Sequence, residues 1–304
     1  MPNLLLGVLR PALLAPPPTA GVAGYFGQGD ESDAVFKTTF PTDSWSTFFL
    51  ILPSTAGPGM ANSGVAGYIH RGFSDTFALN DVCEKITFPT DSVSSITTIL
   101  AAGGMGWGDP GNFGVWGQGL DSSFDPSDLI GIFDFATDTT TADGTILLDP
   151  VDGLGGACNP GVSGFYPIAL DDRVGEMLLP TLTDTFGITF GPGVDTEFNT
   201  VWVDAAVAMY ATRGRVGLDD DDEVRKVALP VTAAMSLINS LPEGSAFGAS
   251  MSNDGVAGYV NQGGDFTFGA SDKVFKIAFA TDTWTTTTAL PEGATDNAGL
   301  SDMG

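Results

Sequence analysis

Residues 21–29 read GVAGYFGQG, residues 64–72 read GVAGYIHRG and residues 255–264 read GVAGYVNQGG. A phrase of this length returning inside one chain marks a repeat architecture, in which each copy builds one supersecondary unit. With the fourth residue of the phrase as marker, the copies fall at Gly24, Gly67, Gly114 (GNFGVWGQG), Gly164 (GVSGFY), Met209 (AVAMYATRG) and Gly258, separated by 43, 47, 50, 45 and 49 residues. A second phrase trails the markers: VFKTTFPTDSWST from Val35, VCEKITFPTDSVSS from Val82, LIGIFDFATDTTT from Leu129 and VFKIAFATDTWTTTT from Val274. The fourth unit (MLLPTLTDTFGITF from Met177) and the fifth (VRKVALPVTAA from Val224) keep it in degraded form, so these two follow from spacing.

Each unit predicts four short strands. The first, as in GPGMAN (57–62) and AFGASMS (246–252), meets the second across turns spelled NSG and NDG, which supply the positive-φ residue of a tight hairpin. The third strand alternates, with Phe275, Ile277 and Phe279 on one side and Val274, Lys276 and Ala278 on the other. A polar turn (PTDS, ATDT) then leads to a fourth strand rich in Thr, Ser, Trp and Phe. Six such units predict an all-β, six-bladed β-propeller with four-stranded blades. The chain ends fit this count. The first unit starts at GVAGY without a first strand, and NAGLSDMG (297–304) is a first strand with nothing after it. Pairing residues 297–304 beside Val22 to Phe26 closes the ring and leaves no long sheet edge open.

The glycine-rich second strand, hydrophobic third strand, short polar turn and following Trp (Trp45, Trp284) resemble the kelch-type propellers. The GVAGY…KITFPTDS style is similar to kelch-like repeats of marine bacteriophages and environmental bacteria. The resemblance runs from Gly21 to Gly304, although the paired glycine of kelch occurs in this context only at Gly263-Gly264. It implies a non-enzymatic virion structural protein, a decoration or tail-associated adhesion subunit, located on the virion. The rival expectations are a sialidase-like hydrolase acting on glycans and a bacterial cell-surface or extracellular binding module. The aspartate-box motif of sialidases is missing, since PTDSW and ATDTW lack the internal glycine.

One domain, residues 21–304, accounts for nearly all of the chain, with an apolar arm at 1–20 (MPNLLLGVLRPALLAPPPTA). The arm reads as a poorly formed secretory signal, because no Lys or Arg precedes its apolar run, and Arg10 and Pro11 keep it short of the roughly 20 residues of a membrane span. It is expected to pack on its own propeller or on a neighbouring subunit, and so to join other virion proteins. The net charge of −26 comes from 30 Asp and 7 Glu, much of it turn chemistry. Such a surface repels phosphate backbones, so no nucleic-acid partner is expected. Cys83 and Cys158 fall in different blades with no metal-ligand spacing and are expected to be free thiols.

Chemistry-bearing residues are few. The single histidine, His70, excludes a histidine-rich metal site and most triads, and is expected to be a surface or packing residue. No cofactor is expected. The run Asp219, Asp220, Asp221, Asp222 and Glu223 offers oxygen ligands that could hold calcium, but lacks the alternating spacing and turn glycine of a calcium loop, and a solvated loop is the plainer reading. Alternating strand direction places the NSG and PTDS turns on one face and the long, dissimilar second-to-third loops on the other. Arg71, Arg173, Arg213 and Arg215 fall in those loops, and with His70, Phe73 and Phe266 they form the candidate ligand-binding set. Guanidinium groups beside aromatic rings point to a shallow site for a host surface glycan or protein. The plainer reading is that these arginines neutralise nearby Asp.

Overall fold

The computed structural model describes residues 22–302, except 28–33, 41, 51–58, 63, 73–79, 89, 99–104, 110, 118–126, 152–154, 169–172, 180, 190–199, 205, 213–214, 217–218, 221, 232–233, 245–247, 254, 264–269 and 294–297. Among the described residues every regular element is a strand. Six four-stranded antiparallel sheets form a ring, a six-bladed β-propeller. From the axis outwards, blade 1 is Ala298–Ser301, Ala23–Gly27, Ala34–Thr39 and Ser44–Leu50, and blade 2 is Gly59–Asn62, Ala66–His70, Val82–Thr87 and Ser92–Thr97. Blade 3 is Gly106–Asp109, Phe113–Gly117, Ser127–Asp134 and Thr139–Val151, and blade 4 is Ala157–Asn159, Ser163–Pro167, Arg173–Leu178 and Thr183–Thr189. Blade 5 is Val201–Asp204, Ala208–Thr212, Glu223–Ala228 and Ser236–Ser240, and blade 6 is Ser250–Asn253, Ala257–Asn261, Val274–Ala278 and Thr283–Thr286. Units four and five, degraded in sequence, are complete blades.

The ring closes as the chain ends predict. Ala298–Ser301 pairs antiparallel with the second strand of blade 1, Gly24 opposite Ser301 and Gly27 opposite Ala298. The Asp302 carboxylate then accepts from the main-chain N–H groups of Val22 (2.9 and 3.0 Å) and Ala23 (3.1 Å), locking the two ends together. The first-to-second-strand turns use positive φ at Gly64, Gly111, Gly161, Ala206 and Gly255. Their neighbours across the blade boundary hold them: Asn62 Oδ1 accepts from Gly111 N–H (2.8 Å), Asp109 from Gly161 (2.8 Å) and Asp204 from Gly255 (2.9 Å).

The recurring GVAGY phrase is explained by what lies on either side of it. The innermost strand of each blade sends one large side chain into the next blade, and the marker glycine receives it. A Cβ at Gly24 would overlap Met251 of blade 6, one at Gly67 Leu300 of blade 1, one at Gly114 Met60 of blade 2, one at Gly164 Trp107 of blade 3, and one at Gly258 Trp202 of blade 5. The exception is reciprocal. In blade 5 the marker is Met209, fully buried, and the residue facing it from blade 4 is Ala157, packed on the same apolar cluster.

The tyrosine of the phrase reaches the other way. Tyr25 of blade 1 donates to Asp91 in the polar turn of blade 2 (3.0 Å), where Lys37, opposite Tyr25 in the sheet, also binds (2.6 Å). The same triad recurs as Tyr68, Lys85 and Asp138, as Tyr210, Lys226 and Asp282, and as Tyr259, Lys276 and Asp43, which joins blade 6 to blade 1. The four aspartates hold φ between 51° and 54°, a left-handed conformation that Asp tolerates through local hydrogen bonding. Burial, with the neighbouring carboxylate, raises the four phenols well above their usual range, so they remain neutral donors. The remaining two interfaces lack the triad: apolar groups take all three places between blades 3 and 4, whereas between blades 4 and 5 Phe165 replaces the tyrosine and Glu176 stands opposite it in the lysine's place. Val115 and Ile132 of blade 3 share a cluster with Leu182 of blade 4, and Phe165 of blade 4 shares one with Leu229 and Val231 of blade 5.

Candidate functional site

Among the described residues, the loop-face residues singled out in the sequence lie in separate blades. Arg71 is drawn into blade 2, where its Nε donates to Glu84 Oε1 (3.0 Å) and its guanidinium forms a close ion pair with the same carboxylate; the side chains are 11% and 4% exposed. Ser95 Oγ donates to the other Glu84 oxygen (2.9 Å). Arg71 is therefore the counter-ion of a buried carboxylate, since removing it would leave that charge uncompensated. His70 is a packing residue. It is 1% exposed, its Nδ1 accepts from Gly72 N–H (3.3 Å), its Nε2 donates to Thr98 Oγ1 (2.9 Å), and its ring stands edge-on to Trp116. Asn261 fills the corresponding place in blade 6, with Oδ1 accepting from Gly263 N–H (2.8 Å). Histidine here does the work of a turn-closing asparagine.

Arg173 opens the third strand of blade 4 and is half-buried. Arg215 lies in a small hairpin over blade 5, with its Cα opposite Asp220. Arg213, Phe73 and Phe266, and the side chain of Arg215, lie outside the described residues. The arginines that are placed belong to three blades, 2, 4 and 5. Of the acidic run, Asp221 and the side chains of Asp219 and Asp220 lie outside the described residues; Asp222 is exposed, and Glu223 accepts from Arg225 (2.8 Å). Among the described residues no three His, Cys, Asp or Glu side chains stand close enough to hold a metal ion. Cys83 and Cys158 are free thiols, and burial pushes that of Cys83 upward.

The axis of the ring is narrow. Three or more residues from each innermost strand line a channel of about 50 Å³, with room for a few waters and not for a sugar ring. Glycines bring the strands into backbone contact: a Cβ at Gly108 would strike Ala61 O, one at Gly156 Gly106 O and one at Gly299 Ser250 O. Between blades 5 and 6 the Ser250 and Ser252 hydroxyls donate to the carbonyls of Val201 (2.9 Å) and Val203 (2.6 Å).

Among the described residues a second concavity lies on the loop face, at blade 6. Glu243, Gln262, Ala270, Ser271, Asp272, Lys273 and Gly293 line a depression of about 500 Å³. Its floor is ordered by its own bonds: Ser271 Oγ donates to Gln262 Oε1 (2.6 Å), Gln262 Nε2 to Gly244 O (2.9 Å) and Lys273 N–H to Ser271 Oγ (3.2 Å). Lys273 and Glu243 form an ion pair at its lip, about half exposed, and the ammonium lowers the Glu243 carboxyl below its usual range. The volume falls within the span of small-ligand pockets, but the lining is amide, hydroxyl and charge where most such pockets are apolar. These residues were not singled out in the sequence. The signal available was the twice-written LPEG at 241–244 and 290–293, whose Glu243 and Gly293 form two walls.

The chain is thus a six-bladed β-propeller with a polar depression on the loop face of blade 6. No family model matches the chain, and no curated protein is significantly similar to it.

Proposed function

We propose that the protein is a non-enzymatic virion structural subunit, a decoration or tail-associated adhesion protein, whose rigid ring offers its loop face to a glycan or protein and whose N-terminal arm joins other virion proteins. The observation that carries this reading is the use made of the scarce basic and imidazole groups. Four of the five lysines bridge blades through the Tyr–Lys–Asp triads, Arg71 neutralises Glu84, and His70 closes a turn. Side chains that would serve catalysis elsewhere hold the scaffold rigid. The blade 6 depression adds hydroxyl, amide and carboxylate groups in a fixed array, the kind of surface that binds neighbouring hydroxyls of a sugar.

A glycan array probed with the full chain tests this, with released reducing sugar measured on every glycan that binds. Binding without turnover is expected, together with loss of binding in Gln262→Ala. Sugar release would replace the proposal with the glycan-active hydrolase. Detection of the chain by mass spectrometry in purified particles tests the virion assignment separately.

A further inference from the structure

The second residue of the GVAGY phrase is held through its main chain, whose carbonyl accepts a hydrogen bond in five blades, while its side chain faces solvent. Turn positions favour Gly, Asn, Asp and Ser, yet five of the six turns between innermost and second strands carry valine: Val22, Val65, Val162, Val207 and Val256, 66%, 52%, 45%, 58% and 41% exposed. Asn112 stands in that place in blade 3. Because the innermost strands encircle the axis, these valines form an apolar annulus around the channel mouth, on the face opposite the loops. A repeated, solvent-facing ring of β-branched side chains marks an interaction surface.

We propose that this annulus is the docking surface for the leucine-rich arm, residues 4–14, of a second copy of the chain; this rests on reading the arm as the assembly element. The arm carries Leu4, Leu5, Leu6, Val8, Leu9, Leu13 and Leu14, and its only charged side chain is Arg10. That composition is complementary to the valines, apolar segment to apolar ring; outside them stand Asp43, Asp91, Asp138 and Asp282, with side chains 22–41% exposed and each already paired with a lysine. Propeller-to-propeller docking would instead oppose two bodies of net charge −26, whereas the arm brings none of that charge. Pro16, Pro17 and Pro18 separate the leucines from Val22, itself a member of the annulus, and consecutive prolines make a stiff spacer that opposes immediate reversal onto the same ring. Arm-to-annulus docking in trans is heterologous and builds closed rings or filaments of copies.

Sedimentation velocity of the full chain over a range of concentrations tests the proposal, with Leu5→Asp/Leu9→Asp as the arm variant and Val65→Asp/Val207→Asp as the annulus variant. The wild type is expected to self-associate and each variant alone to associate at least about tenfold more weakly, with unchanged circular dichroism. An equimolar mixture of the two variants is expected to form a one-to-one heterodimer, since one supplies the annulus and the other the arm. A wild type that stays monomeric, variants that assemble like it, or a mixture without heterodimer would overturn the proposal. Glycan binding on the opposite face is read independently, so its failure and the failure of this inference are distinguishable.

Discussion

The reciprocal exception in blade 5 gives the sharpest test of why the chain repeats its phrase. Elsewhere a large side chain from one blade lies on a marker glycine of the next; between blades 4 and 5 the large residue is Met209 and the small one Ala157. Met209→Gly empties a fully buried site. Truncating a buried Met costs about 2–5 kcal/mol, and glycine inside a strand adds about 0.5–1 kcal/mol, so about 4 kcal/mol is expected. Ala157→Met overfills the same space at about 1–3 kcal/mol. Together the two changes rebuild the arrangement of Met60 on Gly114 and Met251 on Gly24, and should cost only about 2 kcal/mol, where simple addition gives about 6. At roughly 2–4 °C per kcal/mol for a chain of this size, the double variant should melt about 8 °C or more above the additive expectation. Thermal unfolding followed by tryptophan fluorescence, with four chains in parallel, reads this directly. If the double variant melts where the two losses add, the glycines are not sockets and the explanation of the phrase fails.

Removing residues 297–304 deletes the closing strand, the buried Leu300 and the Asp302 clasp, and should cost more than about 4 kcal/mol; a truncated chain that melts like the full one would dismiss the clasp. Asp138→Ala leaves the Tyr68 hydroxyl and Lys85 without their acceptor and should cost about 1–3 kcal/mol, whereas the set Tyr68→Val/Lys85→Ile/Asp138→Leu copies the apolar interface of blades 3 and 4 and should fall below that; a triple variant less stable than the single would count against equivalence of the two interface types. Arg71→Ala should lower stability by about 3 kcal/mol and leave glycan binding intact, and the reverse pattern would restore Arg71 as a ligand group. Burial raises the Asp302 carboxyl above 3.8, so the folded chain holds this proton more tightly than the unfolded one: its stabilising contribution is complete below pH 3.8 and is lost as pH rises through the raised value. Asp302→Asn should flatten the fall in urea midpoint over that window, and an unchanged slope would show that Asp302 does not carry it.

The blade count, the strand order and the closing strand were legible because they depend on period, and period survives in spacing even where units four and five lose their wording. The alternation of the third strand was legible too, and means more than inside against outside. Phe275, Ile277 and Phe279 cluster with Trp202 of blade 5, while Val274 clusters with Phe26 and Phe36 of blade 1, so each side faces a different neighbour. The pairings themselves were hidden. Gly24 is explained by Met251 and Tyr259 by Asp43, partners from opposite ends of the chain, and aligning the repeats sets each residue beside its counterpart and never beside its contact. Arg71 follows a strand and precedes a glycine, as a loop residue would, and this context hid which acid it neutralises. The clue lay at Glu84, which occupies the position of Phe36 and Phe275 in the third strand; a carboxylate at a buried aromatic position requires a cation within reach.

Inequality among the six interfaces is what allows a chain of near-identical units to specify one ring. Identical knobs, sockets and triads would let any unit pair with any other, in the same chain or another, the general hazard of repeat sequences. Here most boundaries differ in shape or polarity, and only those of blades 2–3 and 6–1 share both a Met knob on glycine and a Tyr–Lys–Asp triad. Trp107 and Trp202 need the glycine sockets of blades 4 and 6, and either would collide with Met209 if presented to blade 5, which accepts only the Ala157 of blade 4. Polarity adds a second constraint. A blade carrying the Tyr–Lys pair placed before blade 4 would bury its ammonium against Leu182 with no carboxylate, and Val115 with Ile132 placed before a triad turn would leave an aspartate without either donor. Buried groups left unpaired in this way cost more than any correct triad contributes, so misordered rings are penalised twice, by volume and by charge. The two units whose wording drifts farthest from the repeat, four and five, are those that meet at the boundary with the reversed knob and socket.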